Sequence, residues 1–419
     1  MVGETKSRLF IRISSLGIFF VITMLLGELH QAGIINFYYL TAILISLMWA
    51  ILGLLCYIKS NNRKSLFSSN VIFVGKKLLF PWLIFILYNI FIFATGTGYK
   101  SILKTSFVQI MFAPCIILGA LGAYYIFKNK TIRYFLYSVF LEYIIVLLYE
   151  LVILGPSDFF NGILTIFSGN SIGNPFELNS DMALGLGLLV LYYFNARVKK
   201  NSTITNHAGI ILLLTILGGK KIQWLALIAT CLASIVCHIL PEKKRNRLQY
   251  IISLLITVAL FLFVFMEIKG YLSTIVYSLG INTMGRIKMW DYIAQYASFD
   301  PTYMGHGYAF SNLMLEINKV HVYQGHTYVL HSDVLKIFFD LGFWMFSFWV
   351  IYNLFYLPKS FRVKFNYRVG NLAWYLSLML FILYTTDNAI NYFITQTIYV
   401  FILLQGIQDE QYYQCRRSN

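Results

Sequence analysis

Lys243-Lys-Arg-Asn-Arg-Leu-Gln-Tyr-Ile-Ile-Ser-Leu-Leu-Ile-Thr-Val-Ala-Leu-Phe-Leu-Phe-Val-Phe-Met266 is a basic cluster followed by 19 residues without a charge. An uncharged run of that length, roughly 20 residues, is what an α-helix needs to cross the hydrocarbon of a bilayer. Similar runs recur along the chain at Leu9–Gly27, Phe37–Ile58, Leu78–Ala94, Phe107–Phe127 and Phe135–Leu154. Apolar residues make up 58% and charged residues only 12% of the chain, so a soluble globular class is excluded. The first run lacks a small-residue cleavage site and is followed by further runs, which argues against a signal peptide.

The net charge of +16 raises nucleic acid as a partner, but the placement of the charges argues against it. Basic residues fall in short gaps: Lys59/Arg63/Lys64, Lys128/Lys130/Arg133, Arg197/Lys199/Lys200, Lys243–Arg247, and Lys359/Arg362/Lys364/Arg368. They occupy every second gap between apolar runs, which is the positive-inside pattern. Hydropathy and charge parity together predict an all-α polytopic membrane protein of about twelve transmembrane helices, one integral membrane domain over residues 1–419. Both termini are expected in the cytoplasm. Expected spans are 9–28, 35–58, 77–96, 105–127, 133–154, 178–197, 203–217, 222–240, 248–268, 329–356, 370–386 and 390–407. The seventh is short; splitting 203–240 at Gly218-Gly219-Lys220-Lys221 keeps the basic gap 243–247 inside. The five cysteines lie in spans or in the last residues, so no disulfide framework is implied.

With this topology the polar segments expected outside are 155–177, the Gly218–Lys221 joint, a large partly helical loop over 269–328 between spans nine and ten, and the Thr386-Asp387-Asn388 turn. Inside the loop, Ile287, Trp290, Ile293, Ala294 and Ala297 recur at helical spacing with Lys288, Asp291, Gln295 and Ser298 opposite. This predicts an amphipathic helix on the membrane interface, Trp290 at headgroup level, ended by Pro301. Gly305-His306-Gly307 predicts a turn with freedom for positive φ.

The stretch from Arg286 to Gly342 concentrates the polar chemistry and holds four of the seven histidines: His306, His321, His326 and His331. Lys220, Lys221, Arg286 and Lys288 are cations on the side that positive-inside bias leaves poor in them. Arg supplies a planar multi-donor fork and Lys a point charge, so Arg286 with Lys220 and Lys221 suits an anionic group such as a diphosphate; snorkelling to anionic lipid is the alternative. His331, next to Ser332 and Asp333, is a general-base candidate, although a histidine at a helix start also serves as a cap. Asp333 lies off its helical face, which argues against direct orientation of His331. A five-residue spacing turns His321, His326 and His331 about 140° apart per step, which does not stack metal ligands; no metal is expected. Glu142 and Glu150 lie within an expected span, where a carboxylate marks either a substrate or proton path or a helix–helix hydrogen bond. Glu177 and Asp181 open span six, where they complement its dipole.

The chain resembles the superfamily of bacterial polysaccharide polymerases and O-antigen ligases, the Wzy and WaaL type. The resemblance covers roughly residues 165–345 and the span count. It rests on Gly173-Asn174-Pro175, Gly219-Lys220-Lys221, Arg286…Trp290, Gly305-His306-Gly307 after Pro301, and His331-Ser332 followed by Asp340-Leu341-Gly342. Two departures stand out: the family's Ser-Arg is Gly-Lys here, which keeps a cation and loses the bidentate fork, and a histidine sits inside the Gly-x-Gly. The resemblance implies glycosyl transfer at the outer leaflet from an undecaprenyl-diphosphate-linked oligosaccharide. Arg286, Lys220 and Lys221 would hold the diphosphate and His331 would take the acceptor's proton. The glycan would contact Trp290, His306, His326, Asp333, Asn174 and Asp387. It implies no cofactor, nucleotide or metal, membrane lipids as surroundings, and a flippase and a chain-length regulator as protein partners. A ligase acting on another acceptor, a flippase or polysaccharide transporter, and an export scaffold are the competing functions.

Overall fold

A computed structural model of the chain describes residues 2–31, 38–60, 65–164, 180–195, 202–218, 220–281, 283, 285–320 and 328–417, with the side chains of 2–14, 30–31, 38–39, 180 and 202–207 left aside. Among the described residues the chain is helical, with no strand. In lipid every backbone N–H and C=O must be satisfied within the segment, which is why apolar runs of this length become helices.

The chain divides into two compact units, neither continuous in sequence: unit 1 is Met1–Lys76, Cys115–Leu227 and Tyr392–Asn419, and unit 2 is Lys77–Pro114 and Ile228–Asn391. The helices in chain order are α1 (Val2–Gln31), α2 (Tyr38–Lys59), α3 (Leu66–Ala94), α4 (Leu103–Phe127), α5 (Thr131–Leu164), α6 (Ser180–Asn195), α7 (Ser202–Leu217), α8 (Lys221–Ile239) and α9 (Glu242–Ile268). They continue with α10 (Tyr271–Ser278), α11 (Arg286–Ala294), α12 (Phe310–Ile317), α13 (Asp333–Ile351), α14 (Leu357–Lys364), α15 (Tyr367–Tyr384) and α16 (Phe393–Arg417).

In unit 1, α1 packs on α2, α5 and α16, and α6 packs on α7 and α16. Small residues set the approach of α2 and α4. A Cβ on Gly122 would stand 2.2 Å from the Trp49 carbonyl oxygen, and one on Gly53 would stand 2.4 Å from Gly122 Cα. Between apolar helices in lipid, such close backbone packing replaces the hydrophobic drive that water would supply. The Trp49 indole is buried and donates to Thr23 Oγ1 at 2.9 Å.

In unit 2, α13 is central, packed by α9, α11, α12 and α15. α13 is buried from Asp333 to Gly342, whereas α9 turns Leu254, Leu255, Val258 and Leu262 outward. α13 runs through a π-helical turn at Tyr352–Tyr356 into α14.

Six helical segments among the described residues are long and apolar enough to cross a membrane: Leu40–Lys59, Leu66–Ala94, Lys100–Leu164, Lys221–Ile239, Glu242–Ile268 and Asp333–Lys364. This fits an all-α membrane protein and does not fit the expected count of about twelve. The 65-residue segment Lys100–Leu164 holds two of the expected spans, 105–127 and 133–154, and breaks at Gly155, where φ is +76° before Pro156. Expected spans one, six and seven correspond to shorter apolar helices, Ser15–Leu29, Asp181–Asn195 and Ala208–Leu217. The last two fall in α15 and α16, which bury polar residues such as Asn371, Ser377, Thr395 and Gln396 and are shaped to face protein.

The expected loop 269–328 carries α10, α11 and α12. The predicted amphipathic helix is α11, and Ile287, Trp290, Ile293 and Ala294 are its buried face while Lys288 is exposed. Two details differ. The helix ends at Ala294, well before Pro301, and its apolar face packs on α9, α12 and α13. Trp290 is buried, with its indole N–H donated to the Leu330 carbonyl at 2.6 Å, so protein occupies the place assigned to headgroups.

Candidate functional site

Polar residues gather in unit 2 where α13 begins. Ser332 caps the helix, its Oγ accepting from Leu335 N at 3.3 Å. His331 therefore stands before the cap and not on the first turn. Its φ of +51° lies in the left-handed region, uncommon for a residue with a Cβ, and such strained residues cluster at functional sites.

The segment Thr385–Asn391 closes over this point. Asp333 N donates to the Asp387 carbonyl at 3.1 Å, and Ile390 N donates to Asp333 Oδ2 at 2.7 Å. Asp387 Oδ1 accepts from Asn388 N at 2.9 Å, which tightens the turn locally. The Asn388 amide nitrogen lies 3.4 Å from His331 Nδ1. Arg286, the first residue of α11, reaches the same turn, its Nη1 donating to the Thr386 carbonyl at 2.8 Å. Arg286, His331, Asp333 and Asp387 are thus brought to one turn, and Trp290 meets it through Leu330, next to His331. Asp333 serves the turn, not the histidine; Asn388 is the residue beside the imidazole.

A second cluster lies further along α13. The carboxylate of Asp340 accepts from Ala309 N at 2.7 Å and Ser311 N at 2.9 Å, and its carbonyl accepts from His306 N and Gly307 N. The Gly305-His306-Gly307 turn is therefore wrapped around the Asp340-Leu341-Gly342 segment. A Cβ on Gly305 would stand 2.4 Å from the Asp340 oxygen, and one on Gly342 would stand 2.4 Å from the Tyr303 oxygen. Both glycines have positive φ, +80° and +77°. Gly305→Ala is expected to lose at least ~1–3 kcal/mol from the left-handed backbone alone, visible as a lower thermal midpoint in detergent. An unchanged midpoint would show that the turn yields freely. His306 points away from the helix start: its Nε2 lies 2.9 Å from the Tyr296 carbonyl and its ring packs on Phe310. Upstream, the 300–303 turn is held by Asp300, whose carboxylate accepts from the Thr302 N–H and hydroxyl and is thereby kept below the usual aspartate range. Burial pushes the Asp291 carboxyl of α11 up.

Lys336 joins the two clusters and was not singled out in the sequence. It is fully buried, with Asp333 and Asp340 as electrostatic neighbours; its Nζ lies 4.6 Å over the Tyr308 ring and has no hydrogen-bond partner among the described residues. The signal was available as Asp-x-x-Lys-x-x-x-Asp, which places three charges on one helical face.

Lys220 and Lys221 belong to unit 1 and Arg286 to unit 2, so the pairing of these cations stays a proposal. Lys221 is exposed and starts α8; Lys220, half-buried, precedes it. Gln223, one turn on, donates its side-chain N–H to the Ala183 carbonyl of α6. Asn174, His321 and His326 lie outside the described residues. Asp181 does more than complement its own helix: its carboxylate accepts from Ile394 N at 2.8 Å and Thr395 N at 2.7 Å, capping α16. No group of His, Cys, Asp and Glu among the described residues has metal-binding geometry.

No family model matches the chain, and no curated protein matches it.

Proposed function

We propose that the protein is a membrane glycosyltransferase that extends a glycan carried on undecaprenyl diphosphate, a polysaccharide polymerase working at the outer face of the bacterial cytoplasmic membrane. The observation that supports this most is the convergence of Arg286 and His331 on the Thr385–Asn391 turn. One Arg286 N–H is committed to Thr386, and the rest of its five-donor fork is suited to diphosphate oxygens. His331 takes the proton from an acceptor sugar hydroxyl as that oxygen bonds to the donor's anomeric carbon. The bond from that carbon to the diphosphate breaks, and the lipid diphosphate leaves with the electron pair, its charge met by Arg286 and, in this proposal, Lys220 or Lys221. Trp290, buried against Leu330, acts by fixing the His331 segment. The chemistry calls for no metal or nucleotide.

Purified protein given an undecaprenyl-diphosphate oligosaccharide is expected to yield multiples of the repeat unit. Recovery of only the starting lipid, from protein that still binds it, rejects the proposal. Transfer to a different acceptor would instead make the protein a ligase. A transporter of the same lipid is favoured by one observation, the buried Glu28 and Glu142 of unit 1. It would move units between leaflets without lengthening them.

The outward placement has its own check. Glu316 is exposed on α12. In a background lacking the native cysteines, Glu316→Cys is expected to react with an impermeant thiol reagent on intact cells. Reaction only after lysis would place this segment inside.

A further inference from the structure

Three carboxyls in unit 1 have no part in the reaction above. Glu28 on α1, Glu142 on α5 and Asp181 on α6 are all fully buried and are electrostatic neighbours. Their surroundings differ. Asp181 sits at the positive end of α16 and receives two backbone N–H groups and the Thr395 hydroxyl, a setting for an ionised carboxylate. Nothing comparable meets the two glutamates. Glu28 Oε2 and both oxygens of Glu142 meet no donor group among the described residues; the two carboxyls meet each other. Two adjacent ionised carboxylates in an apolar bundle, unmet by donors or cations, would be strongly unfavourable.

Ser138, one turn before Glu142 on α5, bears on the protonation of Glu28. Ser138 Oγ lies 2.8 Å from Glu28 Oε1 and 2.7 Å from the Phe135 carbonyl oxygen. A hydroxyl carries one hydrogen and a carbonyl can only accept. One hydroxyl hydrogen shared between two acceptors serves each weakly; a protonated Glu28 donating to Ser138 Oγ leaves the serine hydrogen wholly to Phe135.

We propose that Glu28 and Glu142 form a buried proton-binding site, with Glu28 donating its proton to Ser138 Oγ and Glu142 within reach to share it. Asp181 is the fixed negative charge beside the pair, and the Tyr143 hydroxyl is the other titratable neighbour of Glu142. Loss of the proton would place a second like charge beside Asp181, so the packing of α1, α5, α6 and α16 is tied to proton occupancy. The site does not depend on glycan transfer.

The test is the infrared carbonyl band of protonated carboxylic acids, recorded on the purified full-length protein at neutral pH. The wild type is expected to show such a band, shifted in heavy water, that is missing in the Glu28→Gln/Glu142→Gln double variant. Glutamine keeps the shape of a neutral glutamate, so the double variant is expected to keep its thermal midpoint. Identical spectra for the two proteins would overturn the proposal. Exchanging choline for sodium at equal ionic strength is expected to leave the band unchanged. A band lost on adding sodium would assign the site to a metal cation and overturn the proton as its occupant.

Discussion

Alanine in place of His331 is expected to stop chain extension, leaving single lipid-linked repeat units as the accumulating species. A positioned general base contributes about 10²–10⁴-fold to such a transfer, and loss at the upper end of that range removes polymer from a cellular assay. The effect should fall on turnover, not on binding of the lipid donor, because the diphosphate contact is assigned to Arg286. Arg286→Ala is expected to weaken both, since it withdraws the fork and also the bond to the Thr386 carbonyl. The comparison uses variants shown to reach the membrane at wild-type levels, with glycan length read on gels and donor affinity read on purified protein. Wild-type chain lengths in both variants would remove these residues from the site. Normal lengths in His331→Ala alone would leave the anion-binding half standing and require another base.

Asp340→Ala is expected to be the most destabilising substitution in unit 2. It withdraws the acceptor for two buried N–H groups, Ala309 and Ser311, and unmet buried donors cost about 1–3 kcal/mol each. It also removes one of the two carboxyls that are electrostatic neighbours of Lys336, whose Nζ has no hydrogen-bond partner among the described residues. The two N–H bonds share one carboxylate and do not add simply, so a loss of at least ~2 kcal/mol is the expected outcome. It is measured as a fall in the thermal midpoint of the detergent-solubilised protein. Lys336→Met separates the causes: it disturbs the charges while leaving both N–H bonds to Asp340 in place. Equal midpoints for wild type and Asp340→Ala would show that the 305–311 turn is held by something other than this carboxylate.

The membrane class was legible in the sequence because one physical signal carries it. Segments such as Leu248–Met266 have no charge over the thickness of the hydrocarbon. The span count was not legible, because hydropathy does not distinguish a helix facing lipid from one enclosed by protein. α15 and α16 look like spans, yet their polar residues are tolerated by burial against neighbouring helices. Within the site, Arg286 and His331 were legible as polar residues with no structural need in an apolar chain. That both address the Thr385–Asn391 turn was not, since about a hundred residues separate Arg286 from Thr386 and only the fold joins them. Lys336 was legible only through spacing: its neighbours are Val, Leu, Ile and Phe, and Asp333 and Asp340, three and four residues away, mark the shared face. Glu28 and Glu142 show the same limit from the other side. Each lies in an apolar run, and the packing of α1 on α5 is what brings them to one place.

Gly305 and Gly342 each stand where the other's strand of backbone leaves no room for a methyl group. Neither position can drift alone. A side chain acquired at one would push the 303–305 segment off α13 and relieve the crowding at the other, whose positive φ would still favour glycine. Along any lineage descended from this chain the two should be kept together, and their joint loss should coincide with replacement of Asp340. That pattern of inheritance can be looked for in sequences alone.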